Sequence, residues 1–236
     1  MRFDCQPDRS ICIRIVCSPL FPVADGLSMD RFPFELDHRI CRPHLTELAQ
    51  LFDDMDAAYD QIADFYGFHC TGCEDSCCRS RFYHYTLLEY LYLSVGLMEL
   101  SSAQRSDILD KANRLKTGGD DDRPMCPVNL EGRCRLYPFR PMICRLHGVA
   151  HEFIGPDNTV RSGPGCDKFT LHSANHLGAR FDRTPMYRRM ALLEKKLRER
   201  IRFKGRIRLT VAQMIIYASG ATFFQDTIDT QDGISR

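Results

Sequence analysis

The sequence predicts a mainly α-helical fold with a small β-hairpin, an irregular α+β arrangement of helices around a cysteine-ligated metal centre. Three observations lead there. Apolar residues recur at helical spacing in several stretches on either side of an irregular middle. That middle is rich in Pro, Gly and Cys and carries one hairpin signal. The chain also holds 12 cysteines in 236 residues, most of them clustered.

Residues 1–35, with prolines at 7, 19, 22 and 33, sustain no period and cap no helix; they are expected to be a poorly ordered or non-native lead-in, with translation beginning at Met1 or at Met29. From Pro43 the pattern sharpens. Leu45, Leu48, Phe52, Met55, Tyr59, Ile62 and Tyr66 repeat at 3,4 spacing and share one helix face, with Gly67 placed to stop the helix. Thr86 and Glu89 fit a capping box ahead of Leu87, Leu88, Leu91, Tyr92 and Val95. Ser101 and Gln104 repeat that signal before Ile108, Leu109, Ala112 and Leu115, giving a helical pair closed by Gly118-Gly119 and the acidic Asp120-Asp121-Asp122.

Val149 to Ile154, a Gly155-Pro156-Asp157-Asn158 turn and Thr159 to Arg161 read as a hairpin. Beyond Pro185, Met186, Met190, Leu193, Leu197 and Ile201 mark an amphipathic helix, and its other face is crowded with Arg and Lys. The expected organisation is a single helical metal-binding domain over 36–236, with a cysteine core at 68–168 and a basic C-terminal helix at 185–204.

Bulk properties exclude some classes. Net charge is +1 with 44% hydrophobic residues, which opposes a nucleic-acid-coating protein and allows an ordinary core. The basic helix lacks aromatic interleaving, so a solvated face packed over the core is favoured over a nucleic-acid surface. The best apolar run, Val211 to Phe224, falls short of the roughly 18 residues a membrane span needs. Arg14 interrupts the only apolar stretch near the N-terminus, so no secretory signal is read and a cytoplasmic location is expected. A reducing compartment disfavours disulfides and turns clustered cysteines into metal ligands or redox centres.

Eight cysteines are the expected ligands: Cys70, Cys73, Cys77, Cys78, Cys126, Cys134, Cys144 and Cys166. The first four sit in Cys70-Thr-Gly-Cys73-Glu-Asp-Ser-Cys77-Cys78. A C-x2-C pair turns two thiolates onto one metal, and Gly72 frees the backbone for that turn. Adjacent Cys77 and Cys78 point to opposite faces of an extended segment, which suggests two centres side by side or a cluster with an extra thiol. Arg133, Arg135, Arg140 and Arg145 follow in sequence as donors to sulfur, as a grip on an anionic substrate, or as plain surface charge. His69, His147 and His151 flank the cysteines as alternative ligands or hydrogen-bond donors; Glu74 and Asp167 flank them without a partner that would mark a general base. Cys5, Cys12 and Cys17 lack metal-site spacing, and Cys41 reads as a small hydrophobe.

Cys70-x2-Cys73-x3-Cys77-Cys78, Cys126-Pro127, Gly132-Arg133-Cys134, Tyr137, Arg140-Pro141 and Cys144-Arg145, with Cys166 after Gly163-Pro164-Gly165, resemble the YkgJ-like CxxCxxCC cysteine-cluster family. The resemblance spans roughly Phe68 to Lys168 and departs from the family pattern in placing three residues between Cys73 and Cys77. It implies a zinc- or iron-chelating protein. A similar cysteine region occurs in flagellin lysine N-methylases, which adds protein modification as an implied role. The chain shows neither a Gly-rich S-adenosylmethionine loop nor the C-x3-C-x2-C spacing of radical enzymes.

Three readings follow. An iron–sulfur cluster would serve redox or protein-modification chemistry, with a protein substrate or redox partner. Closed zinc sites would brace a structural or interaction module. Spare and vicinal thiols would suit a protein that handles metal ions. Soft thiolates accept both iron–sulfur clusters and zinc, so ligand type does not separate them, and the Cys77-Cys78 pair leans towards the cluster.

Overall fold

The computed structural model describes residues 38–70, 78–117, 125–173 and 178–219. The N-terminal lead-in, Met29, Cys73, Cys77 and the Gly118–Asp122 loop therefore lie outside the described residues.

Helix α1 (His38–Phe65) buries Leu45, Leu48, Leu51, Phe52 and Met55 almost completely. It starts before the position the sequence pattern suggested, so Pro43 lies inside it. Burial of Cys41 and Leu45 in the core holds that leading turn in spite of the proline, a case of packing overriding local propensity. The helix ends as a Schellman motif: Gly67 (φ +62°) sends its N–H to Asp64 O at 2.9 Å and Phe68 N–H reaches Ala63 O at 2.8 Å.

Helix α2 (Leu87–Glu99) is buried along most of its length, and α3 (Ser102–Thr117) follows after one break. The Ser101–Gln104 box forms reciprocally, at 3.0 and 3.3 Å. The Thr86–Glu89 box forms by half. Thr86 Oγ1 accepts the Glu89 N–H at 3.1 Å, but the Glu89 carboxylate turns inward to the Met142 N–H and the Thr86 hydroxyl.

A tight hairpin of β1 (Asn129–Leu130) and β2 (Arg133–Cys134) turns through Glu131 and Gly132, both at positive φ. A 3-10 turn (Tyr137–Phe139) and the short α4 (Met142–Leu146) then lead to β3 (His151–Ile154), which pairs antiparallel with β4 (Val160–Gly163) as expected. Asp157 clamps that turn. Its carboxylate accepts the Thr159 hydroxyl and N–H and the Arg161 guanidinium, which pull its pKa down to about 2. After α5 (Asp167–His172), the two-residue β5 (Phe181–Asp182) adds to β3 in parallel, a pairing too short to leave a sequence signal.

Helix α6 (Thr184–Ile201) has Pro185 in its first turn and ends at Arg202 in the left-handed conformation, a few residues before the expected limit at 204. It packs on α1, and its basic face is partly paired: Arg189 with Asp54 at 2.6 Å and Lys196 with Glu47 at 3.3 Å. Its buried Glu194 accepts the Leu87 and Leu88 N–H groups at 2.8 and 3.1 Å, satisfying the open start of α2. Helix α7 (Val211–Ala218), opened by a reciprocal Thr210–Gln213 box, packs on α3 and α2. No helix among the described residues is long and apolar enough to cross a membrane.

Candidate metal centre

The described cysteines come together in two groups. The first forms where α1 ends. Beyond the Gly67 turn, Phe68 is buried and meets Phe169 edge-on at 5.2 Å, and Tyr66 meets the same ring at 5.0 Å. His172 Nε2 adds a 2.8 Å contact to the Tyr66 carbonyl. Phe68 lies two residues before Cys70 and Phe169 three after Cys166, so this aromatic cluster draws the two thiols to one side of α1.

Cys166 is positioned by backbone. Its N–H donates to Gly148 O at 2.9 Å, and its Sγ accepts the Phe169 N–H at 3.4 Å. Gly165 (φ +97°) makes the approach feasible, since a Cβ there would lie 2.5 Å from the Gly148 carbonyl oxygen. Gly148 (φ +132°) is in turn filled by Tyr59: a Cβ would overlap the phenol oxygen and sit 3.3 Å from the ring carbons. Burial, then the Cys70 and Cys166 thiols, push the Tyr59 phenol above its ordinary value, which places that hydroxyl within electrostatic reach of both sulfurs.

The second group joins chain from either side of α2 and α3. The Cys126 N–H donates to Cys78 O at 2.8 Å, the Asn129 N–H returns to Cys126 O at 2.9 Å, and Asn129 is the strand partner of Cys134. Cys78, Cys126 and Cys134 thus hang on one hairpin. Leu130, Glu131, Arg133, Cys134 and Arg135 line a shallow pocket beside it. Cys144 sits in α4, whose first N–H is held by Glu89.

Cys78, Cys126, Cys134, Cys144 and Cys166 are half-buried and Cys70 is exposed, whereas Cys41 is a core residue, as its sequence context suggested. No disulfide joins the described cysteines, and no three Cys, His, Asp or Glu side chains among the described residues close on a single point. Cys73 and Cys77, which complete the first cluster, are outside that set.

The arginines divide. Arg145 is buried and serves as a brace rather than a sulfur donor or surface charge. It pairs with Asp56 at 2.5 Å, donates to the Arg140 carbonyl at 2.9 Å and to the Pro138 carbonyl, and lies 4.2 Å over the Phe52 ring. Arg140 stacks on Tyr137 at 3.5 Å. Burial first, then the Arg183 charge, depress the pKa values of His147 and His151, which leaves both rings neutral at pH 7.

Two contributors carry no sequence signal. Tyr59 falls on the apolar stripe of α1, where periodicity reports burial and not what the phenol oxygen meets. Arg183 precedes the first turn of α6 and is 3% exposed. It donates to the Leu146 carbonyl and interacts with Tyr187 and Tyr59, its Nε has no partner, and no carboxylate offsets its charge. The chain matches no protein-family model, no curated protein and no solved structure.

Proposed function

We propose that this chain is a cytoplasmic cysteine-cluster metal-binding protein of the YkgJ-like kind. Its centre is most consistent with iron–sulfur, serving redox or protein-modification chemistry on a protein substrate or with a redox partner. The observation that carries the reading is the bond from the Cys126 N–H to Cys78 O: chain on either side of two whole helices returns to put thiol beside thiol. The convergence of Cys70 and Cys166 around Tyr59 supports it from the other group.

The residues suit such a group chemically. Thiols are soft donors that bind as thiolates, so a centre built from them is anionic. Arg183, buried without a carboxylate and with an orphaned Nε, supplies compensating positive charge beneath the loop between Cys144 and Cys166. Cys70, Cys73, Cys77, Cys78, Cys126, Cys134, Cys144 and Cys166 would hold the metal. An iron–sulfur group bound there would accept and release electrons. The protein's own part is to fix the thiols, which it does through the Gly67, Gly132 and Gly165 turns, and to limit water with Phe68, Phe169 and Phe139.

A second reading, closed zinc sites bracing an interaction module, rests on the same thiols and on the clamped β1–β2 hairpin. Anaerobic purification with elemental analysis and a visible spectrum separates the two. Iron with acid-labile sulfide and a broad band near ~400 nm supports the first. Colourless protein with zinc supports the second. A chain that holds neither metal overturns both.

A further inference from the structure

We infer that the Tyr59 hydroxyl donates a hydrogen bond to the thiolates of the proposed centre, which makes Tyr59 a positioning residue for Cys70 and Cys166. The inference rests on the metal-binding reading above and goes one step further, to how the protein holds its ligands.

Tyr59 lies on α1, the helix that anchors the core, so its Cα is fixed by the buried Leu51, Phe52 and Met55 along the same helix. The phenol projects onto Gly148, filling the space where any other residue would carry its Cβ. Gly148 is also the residue whose carbonyl holds the Cys166 N–H, so the hydroxyl and the Cys166 backbone meet at one glycine. Cys70 enters the same place from the end of α1, through the Phe68–Phe169 contact. Among the described residues the Tyr59 hydroxyl makes no hydrogen bond, although the ring is half-buried.

A phenol beside two thiols with no other acceptor has one chemical use: at neutral pH it is protonated and donates, and a metal-bound thiolate accepts. Such a bond lowers the electron density on sulfur and fixes the direction of its lone pairs. Partners one bond out from a metal are typically worth about 10- to 100-fold in affinity.

The test uses the full-length reduced chain, stripped of metal and titrated with zinc as the probe, since soft thiolates bind zinc whichever metal is native. Wild type, Tyr59→Phe and Gly148→Ala are compared for zinc stoichiometry, for retention against a chromogenic chelator, and for thermal unfolding of the metal-free form. Tyr59→Phe should bind the same number of zinc ions with affinity reduced about 10-fold or more. Its metal-free stability should stay unchanged, because the hydroxyl has no protein partner to lose. Gly148→Ala, which displaces the hydroxyl without deleting it, should lose retention too. If it fails to fold, Tyr59→Phe decides alone.

Equal zinc retention in wild type and Tyr59→Phe overturns the inference and leaves the metal reading standing. A Tyr59→Phe chain destabilised without metal as much as with it makes the residue a packing element and also overturns it. A wild-type chain that binds neither zinc nor iron removes the metal reading, and the inference falls with it.

Discussion

Replacing Glu89 with alanine strips out the buried carboxylate that joins the start of α2 to the start of α4. Glu89 is 3% exposed and accepts two firm hydrogen bonds, from the Met142 N–H at 2.9 Å and the Thr86 hydroxyl at 2.6 Å. His84 Nδ1 stands 3.5 Å away, too long for a well-formed bond. A hydrogen bond to an ionised group contributes about 1.5–3 kcal/mol, so Glu89→Ala should cost about 3–5 kcal/mol. Glu89→Gln keeps an acceptor for Met142, and the Thr86 oxygen can accept from the new amide, so about 1–2 kcal/mol is expected. Equilibrium urea unfolding at pH 7 measures both, with an unchanged m-value confirming that only stability moved. Because Met142 opens the helix that carries Cys144, exchange of its amide should quicken in the alanine variant. A loss below ~1 kcal/mol for Glu89→Ala, or equal losses for the two variants, would refute the two-bond account.

Acid should expose the same carboxylate. Burial pushes Glu89 up, but the His84 ring, the Thr86 hydroxyl and the Met142 N–H outweigh it and hold the group below its ordinary value. A depressed carboxyl contributes stability above its unfolded pKa and loses it as pH falls through the folded one, so wild type should lose more than Glu89→Gln below about pH 4.5. Thermal midpoints from pH 7 to 3 would show it, and parallel curves would contradict it. Gly96→Ala places a Cβ 2.6 Å from Phe139 Cβ. Overpacking of about 1–3 kcal/mol should outweigh the ~1 kcal/mol gain in helix propensity, and a stabilised variant would show that the ring yields. Arg145→Met leaves Asp56 and two carbonyls unpaired. With Asp56 partly exposed, about 2–4 kcal/mol should be lost in urea melts, and a loss under ~1 kcal/mol would contradict the bracing role. Arg189→Ala and Lys196→Ala, by contrast, remove exposed pairs and should each change stability by less than ~1 kcal/mol, independently of salt above the physiological range.

Helices were the legible part of the sequence, because burial writes its period directly into the residue order. Leu45 through Tyr66 marked α1, and Met190, Leu193 and Leu197 marked α6. The hairpin turn at Asp157 was legible through its turn chemistry. What escaped depends on partners distant in sequence. Glu89 looks like half of a local box, yet Met142 claims it; Glu194 looks like one more charge on a polar face, yet it caps a different helix. Arg145 sits among cysteines in sequence and points away to Asp56. The cysteines announced their chemistry by type and spacing, but which of them meet was set by Gly148, Gly165 and the Phe68–Phe169 contact, none of which has a periodic signature. Strand β5 and helix α4 are too short for any period to register.

The bond between Cys126 and Cys78 has a consequence for how the chain is made. Translation delivers the thiols in two instalments, with all of α2 and α3 between them. At about 5–20 residues per second, the first set waits for seconds outside the ribosome before its complement exists. During that interval its sulfurs face oxidants and stray soft ions without the second hairpin to shield them. The two helices therefore act as a delay line, and shortening them would alter the fraction of protein assembled correctly without touching a single sulfur.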